Sequence, residues 1–159
     1  MDAFVYIWLA LSVLGGLTLF ILFLVATFNA LKRCKPENRS MSPGLVFLAF
    51  VPVLNLAWGF VTVAMVSSSL RKEYTSRGMS IPGGFGLGLG MTAEVMAILG
   101  SVAGIVLNVL VKAAGYSISR SEGLVILIVG LLSLLFLITR LVLGFIYVGK
   151  VMGSTKKLA

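Results

Sequence analysis

Four long apolar runs constrain this chain more than any other feature. They cover residues 4–31, 44–70, 91–111 and 123–149, which is about two-thirds of the 159 residues. An apolar stretch of about 20 residues is long enough to cross a bilayer as a helix. A helix also satisfies its own backbone hydrogen bonds where no water is present. The runs therefore predict an all-α integral membrane protein with four spans.

The residues between these runs are too few to build a second structural unit. Hydrophobic residues make up 59% of the chain and charged residues 11%, whereas a soluble domain carries about 25% charged residues. Three short loops and two short tails contain the remainder, and none could bury a core of its own. We therefore expect one membrane domain over residues 1–159 and no separate soluble domain.

The loops indicate how the four spans pair. Pro36 and Pro43 lie in the first loop, where they favour the end of one helix and the start of the next. Spans one and two should then be adjacent and antiparallel, and spans three and four should form a second hairpin. The predicted architecture is a four-helix bundle of antiparallel transmembrane hairpins.

Small and polar residues recur at helical spacing along spans two, three and four. Facing residues of an antiparallel hairpin have position numbers with a constant total, and Glu94 with Arg140, Ser101 with Ser133 and Gly104 with Gly130 all share one total. Small residues allow close helix packing in lipid, and polar ones form bonds between helices. The predicted packing and polar interior residues are Asn55, Gly59, Thr62, Ala97, Gly100, Ser101, Gly104, Asn108, Gly130, Ser133 and Gly144.

Glu94 and Arg140 are the charged residues that lie well inside the spans. Arg140 lies roughly 15 Å along the helix from Lys150 at about 1.5 Å per residue, near the middle of a bilayer. An unpaired charge there costs about 2.5 to 3.5 kcal/mol on insertion scales. We therefore predict an intramembrane ion pair between Glu94 and Arg140. It serves either as a structural clasp or as part of a polar path, and the presence of one acid and one base favours the clasp.

The sequence lacks the residues of most catalytic centres. It contains no histidine and one cysteine, Cys34, so histidine-based nucleophile systems and thiolate metal clusters are excluded. The glycine-rich segment 83–90 does not have the spacing of a phosphate-binding loop, and neither a preceding strand nor a following Lys-Ser/Thr accompanies it. We expect no enzymatic activity, no metal and no cofactor.

The net charge of +8 indicates attraction to anionic lipid headgroups, and we expect no nucleic-acid partner. The predicted headgroup contacts are Lys32, Arg33, Lys35, Arg39, Arg71, Lys72, Lys156 and Lys157. Four alternating spans would divide the Lys and Arg residues equally between the two surfaces. The flanks of the first span, basic only on its C-terminal side, favour a cytoplasmic first loop.

Three stretches carry a resemblance to known sequences: residues 36–44, residues 51–58 with Pro52, Asn55 and Trp58, and residues 68–78. Together with a weaker similarity at residues 146–150, they resemble uncharacterised families of small four-span bacterial membrane proteins. The resemblance implies a multi-pass protein of the bacterial inner membrane. It implies no catalytic residues, because these families have no established activity.

Two functions fit these observations. The first is a non-enzymatic accessory or scaffolding subunit that packs in the bilayer against a larger membrane protein complex or against copies of itself. The alternative is a small transporter or channel with a polar path past Glu94 and Arg140. The expected partners are membrane lipids together with other membrane protein subunits, in a hetero- or homo-oligomer.

Overall fold

The computed structural model describes residues 2–81, 83–114 and 119–158. Within these ranges the chain is all-helical and contains no strand, which confirms the all-α part of the predicted fold class. Four α-helices follow one another: α1 Asp2–Arg33, α2 Pro52–Ser76, α3 Leu87–Ala114 and α4 Arg120–Lys156. Three short 3₁₀ segments lie between them: Pro36–Asn38, Pro43–Phe50 and Gly83–Gly86.

Three stretches of the described residues are long and apolar enough to cross a membrane: Val13–Arg33, Gly83–Ala113 and Ser121–Lys156. They overlap the predicted spans one, three and four. Over the predicted second span, residues 44–70, the structure has two helical pieces instead of one continuous helix.

The two pieces separate at Val51, which has the extended dihedrals φ −79° and ψ 114°. Pro52 follows it at the first turn of α2. Proline has no N–H to donate, and its ring disfavours the helical conformation for the residue before it. Pro52 therefore ends the 3₁₀ segment Pro43–Phe50 and begins α2, which corrects the prediction of a single helix over residues 44–70.

The 3₁₀ segment runs back along α1. Phe47 packs against Phe28, with ring centroids 5.6 Å apart, and Phe50 packs against Phe20 at 5.4 Å. The chain therefore returns about 16 Å along α1 over eight residues, at about 2.0 Å per residue. We call residues 43–76, the 3₁₀ segment together with α2, the short hairpin.

A side-chain bond joins the two arms of the short hairpin. The indole N–H of Trp58 in α2 donates to the carbonyl oxygen of Leu45 at 2.8 Å. This carbonyl belongs to the 3₁₀ segment, where hydrogen bonding is less regular than in an α-helix. The indole therefore fixes α2 against the arm that precedes it.

The C-terminal ends of α1, α2 and α4 meet at one end of the molecule. Arg33 Nη1 donates to the carbonyl oxygen of Thr155 at 3.3 Å, the Tyr74 hydroxyl to that of Ser154 at 2.8 Å, and Arg77 Nη1 to that of Leu158 at 2.9 Å. We call this the basic end, because most of the Lys and Arg residues lie near it.

Helices α1 and α4 run parallel. Besides the contact of Arg33 with Thr155, Phe23 packs against Tyr147 with ring centroids 6.0 Å apart. In an alternating four-span bundle the first and last helices run in opposite directions. Helix α2 also runs parallel to α1, because the short hairpin reverses the chain before α2 begins. This corrects the predicted antiparallel order of spans one and two.

Helices α3 and α4 form the predicted antiparallel hairpin, with a different register. A Cβ on Gly100 would lie 3.4 Å from the Cβ of Phe136, and one on Gly130 would lie 4.0 Å from Leu107 Cδ2. The expected partner of Gly130 was Gly104. At both contacts a glycine of one helix lies beside a larger side chain of the other.

The turn between α2 and α3 is closely packed. Gly84, Phe85 and Gly86 have φ angles of 67°, 51° and 79°, a region that side chains other than glycine rarely adopt. Phe85 is nonetheless buried, and its ring meets that of Tyr74 edge-on at 4.9 Å. The glycines allow the chain to reverse direction, and the contact between the rings of Tyr74 and Phe85 stabilises the turn.

Glu73 joins the first loop to the end of α2. Its fully buried carboxylate accepts hydrogen bonds from the Lys35 backbone N–H, Asn38 Nδ2 and Arg77 Nε, each at 2.8 Å. Burial raises the pKa of this carboxyl, but the three hydrogen bonds and the charge of Arg77 outweigh it, so the pKa lies below its usual 4.5. The carboxylate is therefore stable in its charged form.

Cross-linking should distinguish the parallel arrangement of α1 and α4 from an alternating bundle. In a Cys34→Ala background, Arg33→Cys with Thr155→Cys should react efficiently with a short bifunctional thiol reagent. The matched pair Arg33→Cys with Gly123→Cys, which an alternating bundle would bring together, should not. Band shifts on gels report both results, and the opposite pattern would contradict the arrangement.

Replacement of Glu73 by Gln should destabilise the protein by about 1–3 kcal/mol, because buried donors lose a charged acceptor. Glu37→Gln is the matched control, since Glu37 is exposed. Thermal unfolding in detergent measures both. Equal stability of the two variants would show that the Glu73 network contributes little.

The same carboxylate predicts a pH dependence. Its folded pKa lies below the ordinary 4.5, so its contribution is fully present above that pH and is lost as the pH falls through the folded value. The wild type should therefore lose stability below about pH 4.5 more steeply than Glu73→Gln. If the stability of both proteins falls with pH in the same way, the acid sensitivity comes from a group other than Glu73.

Candidate functional site

A polar cavity lies where the short hairpin reverses direction. All four helices and the 3₁₀ segment Pro43–Phe50 contribute to its walls, and its volume is about 50 Å³. The lining residues are Leu19, Phe20, Phe23, Ala49, Asn55, Gly59, Val63, Gly90, Ala93, Glu94, Arg140, Gly144, Tyr147 and Val148. A water molecule needs about 10–15 Å³, so the cavity has room for roughly three or four.

Glycines bring the polar side chains of the cavity close to the neighbouring backbones. A Cβ on Gly59 would lie 2.5 Å from the carboxylate carbon of Glu94. A Cβ on Gly90 would lie 2.7 Å from Val63 Cγ1 and 2.9 Å from Tyr147 Cε2. No side chain larger than hydrogen fits at either position without a shift, so both glycines are required for the shape of the cavity.

Four polar side chains line the cavity: those of Asn55, Glu94, Arg140 and Tyr147. The Tyr147 side chain is almost fully buried, and its hydroxyl has no hydrogen-bond partner in the structure. A buried polar group without a partner costs about 1–3 kcal/mol. Tyr147 therefore brings a hydroxyl with unused hydrogen-bonding capacity to the wall of the cavity.

Glu94 and Arg140 line the same cavity, but they do not form a close salt bridge. Across residues 2–81, 83–114 and 119–158, the pair with nitrogen and oxygen within 4.0 Å is Arg77 with Glu73. The two charged groups therefore face the same cavity without a direct bond between them. Both side chains are half-buried.

The other predicted interior residues divide by depth. Thr62 is buried, and Ala97, Gly100, Gly130 and Ser133 are half-buried. Ser101, Gly104 and Asn108 are exposed, contrary to the expectation of an interior face, and Asn55 is exposed as well although it lines the cavity. The contacts of α2 with the turn and with α3 run from Tyr74 with Phe85 to Gly59 with Glu94, so they lie before α3 or in its first eight residues.

Residue spacing identified part of the cavity. Asn55 and Gly59 belong to the polar stripe of the second span, and Arg140, Gly144 and Tyr147 share one face of the fourth. Glu73 was missed as a binding partner of the first loop, because Lys35 and Asn38 lie 38 and 35 residues away from it in the sequence. Its spacing of four residues from Arg77 was a local signal that could have found part of the network.

The basic end collects every predicted headgroup residue. It holds ten of the chain's 13 Lys and Arg residues. These are Lys32, Arg33, Lys35, Arg39, Arg71, Lys72, Arg77, Lys150, Lys156 and Lys157. Lys112 and Arg120 lie at the other ends of α3 and α4. The predicted equal division of Lys and Arg residues between two surfaces is therefore replaced by a large excess at the basic end.

Comparisons with known proteins do not extend this description. No protein-family model, curated protein or solved structure matches the chain.

Substitution of Gly90 tests the packing of the cavity. Gly90→Ala should destabilise the protein by about 1–3 kcal/mol, because its methyl group overlaps Val63 and the Tyr147 ring. Gly104→Ala is the matched control, since a Cβ there meets nothing within 4 Å. Thermal unfolding in detergent compares the two variants, and an equal effect at both positions would contradict the packing.

Proposed function

We propose that this chain is an integral membrane protein that passes a small polar solute or ion through the cavity lined by Glu94 and Arg140. The observation that carries the proposal is the convergence of an acid, a base, an amide and an unpartnered hydroxyl on one small cavity. Charged residues inside membrane spans are costly and commonly mark substrate or ion pathways.

The proposed membrane topology has three spanning helices and a re-entrant hairpin. Three stretches are apolar and long enough to span, and the short hairpin turns back at Val51. Irregular backbone at membrane depth is tolerated where protein covers it or where it borders a water-filled cavity. The break of the short hairpin lies beside the cavity, because Ala49 before it and Asn55 after it both line the cavity wall.

The chemistry of the cavity suits a ligand that both gives and accepts hydrogen bonds. Arg140 donates, the Glu94 carboxylate accepts, and Asn55 and Tyr147 do both. A salt bridge closed between acid and base would satisfy both charges and favour a structural clasp. The space between them instead supports a path in which a solute or waters bridge the two groups.

The basic end defines the proposed orientation. Cytoplasmic loops of membrane proteins carry an excess of Lys and Arg. With ten of the 13 basic residues at one end, we place that end in the cytoplasm and the N-terminus on the opposite side. The proposed location is the bacterial inner membrane as a multi-pass protein, in line with the resemblance of the sequence.

A flux assay tests the main proposal. Purified protein in liposomes should raise the flux of at least one probe among protons, alkali cations, chloride and small uncharged solutes. Glu94→Gln and Arg140→Gln should each lower that flux at least about tenfold, because a solute path depends on its charged groups. Asn108→Ala is the matched control on the same helix α3 and should retain full flux.

The controls separate loss of function from loss of folding. Each variant should elute as a single species with the wild-type thermal transition in detergent. Wild-type liposomes that match empty liposomes for every probe would overturn the proposal of a path. Equal loss in Asn108→Ala would show that the effect does not come from the cavity.

A second candidate function is lateral assembly as an accessory or scaffolding subunit. The observation that favours it is the exposure of Ser101, Gly104 and Asn108 on α3, within a stretch apolar enough to span a membrane. A polar amide on a lipid-facing surface gains from a partner helix that offers hydrogen bonds.

Purification from native membranes tests the second candidate. A larger complex should copurify in mild detergent at fixed stoichiometry, and Asn108→Leu should weaken its recovery, while Thr62→Val, at a fully buried position, should not. Recovery of a lone monodisperse monomer would count against assembly. Mass spectrometry of the purified material reads out either result.

A further inference from the structure

A groove separates α1 from α4 at the basic end, away from the polar cavity. Its volume is about 200 Å³. The lining residues are Ala26, Asn29, Arg33, Met152, Thr155 and Lys156. None of them carries a negative charge, so the groove presents two cations without an acid to neutralise them.

The chemistry of the groove changes with depth. Arg33 and Lys156 are the last residues of α1 and α4, at the ends of two stretches apolar enough to span a membrane. Ala26 lies seven positions before Arg33, roughly 10 Å deeper at about 1.5 Å per residue. Asn29 lies between these levels, and Met152 lies four positions before Lys156, roughly 6 Å deeper at about 1.5 Å per residue. Cations therefore lie at the mouth, an amide and Met152 below them, and Ala26 deepest.

One of the cations is held in place. Arg33 Nη1 donates to the carbonyl oxygen of Thr155 at 3.3 Å, which ties the guanidinium to α4 across the groove. A guanidinium has five N–H donors in a planar fork, so most remain available for an oxyanion. Lys156 adds a second charge on the adjoining helix.

The helix dipoles oppose an anion here, but they do not decide the outcome. Two C-terminal ends contribute about half a negative charge each, or about one in total. Two full positive charges on Arg33 and Lys156 exceed that, and the Arg33 bond also covers one of the terminal carbonyls. The groove therefore remains favourable for an anion.

We infer that this groove binds one anionic phospholipid, with its phosphate held by Arg33 and Lys156 and an acyl chain beginning along Ala26 and Met152. Basic pockets between membrane helices on the cytoplasmic side favour such headgroups. The groove has no carboxylate to pair with an ammonium group, so phosphatidylglycerol should bind better than phosphatidylethanolamine. This site rests on the proposed membrane placement but not on the passage of a solute.

Native mass spectrometry of the full chain in detergent tests the site. Titration with phosphatidylglycerol should show saturation at one bound lipid, with phosphatidylethanolamine at least about tenfold weaker. Lys156→Gln should weaken phosphatidylglycerol binding at least about fivefold, and Arg33→Gln with Lys156→Gln should abolish the saturable phase. Lys157→Gln removes the same charge one residue away, outside the groove lining, and should bind as the wild type does.

Three outcomes would overturn the site. Equal weakening in Lys156→Gln and Lys157→Gln would mean general attraction to a basic surface. Equal affinity for the two lipids would remove the role of headgroup charge. Displacement of the lipid by glycerophosphate at equal concentration would show that the acyl chain contributes nothing and that the groove takes a free phosphate. Because Lys156→Gln leaves the Arg33 bond to Thr155 in place, its result does not depend on the loss of that contact.

Discussion

The reversal of the chain at Val51 and Pro52 is the constraint on which the rest of the structure depends. A proline in a long apolar run removes one helical hydrogen bond and disfavours the helical conformation of its predecessor. In this chain the consequence is a change of direction. The indole of Trp58 then bonds to the carbonyl of Leu45, which stabilises the reversed chain. Helix α2 therefore starts beside the middle of α1 instead of at its far end.

This position of α2 creates the cavity. It brings Gly59 against Glu94 and Val63 against Gly90, while Tyr147 of α4 fills the space beside Gly90. Had residues 44–70 formed one straight helix antiparallel to α1, α2 would have approached α3 from the other direction. The polar groups then would not have met at these glycines. Glu94 and Arg140 share a cavity because the start of α2 lies beside them.

The same reversal decides the distribution of charge. Residues 71–77 move to the end where residues 32–39 already lie, and the C-terminus joins them through Tyr74, Arg77 and Arg33. A buried carboxylate, Glu73, anchors the first loop at this end with three donors. The count of basic residues by surface depends on the direction of every helix, so one change of direction turns an even division into a strongly one-sided one.

Part of the site could be predicted from the sequence, because helical periodicity is a local property of the chain. Asn55 with Gly59 and Arg140 with Gly144 follow from spacing alone, because the helix repeat places them on common faces. The register between α3 and α4 did not follow from spacing. Gly130 meets Leu107 instead of Gly104, because the register depends on how the side chains of both helices fit together, and the spacing along one helix does not specify that fit.

The sequence by itself determined that the chain is helical and apolar, and which faces of its helices carry polar groups. These properties come from the composition and from a repeat of 3.6 residues, and both act over a few turns. Only the tertiary structure decided the direction of α2, the partners of Glu73 and the meeting of Glu94, Arg140 and Tyr147. A proline permits a kink or a full reversal, and the choice between them rests on contacts with residues distant in the sequence, such as Phe50 with Phe20.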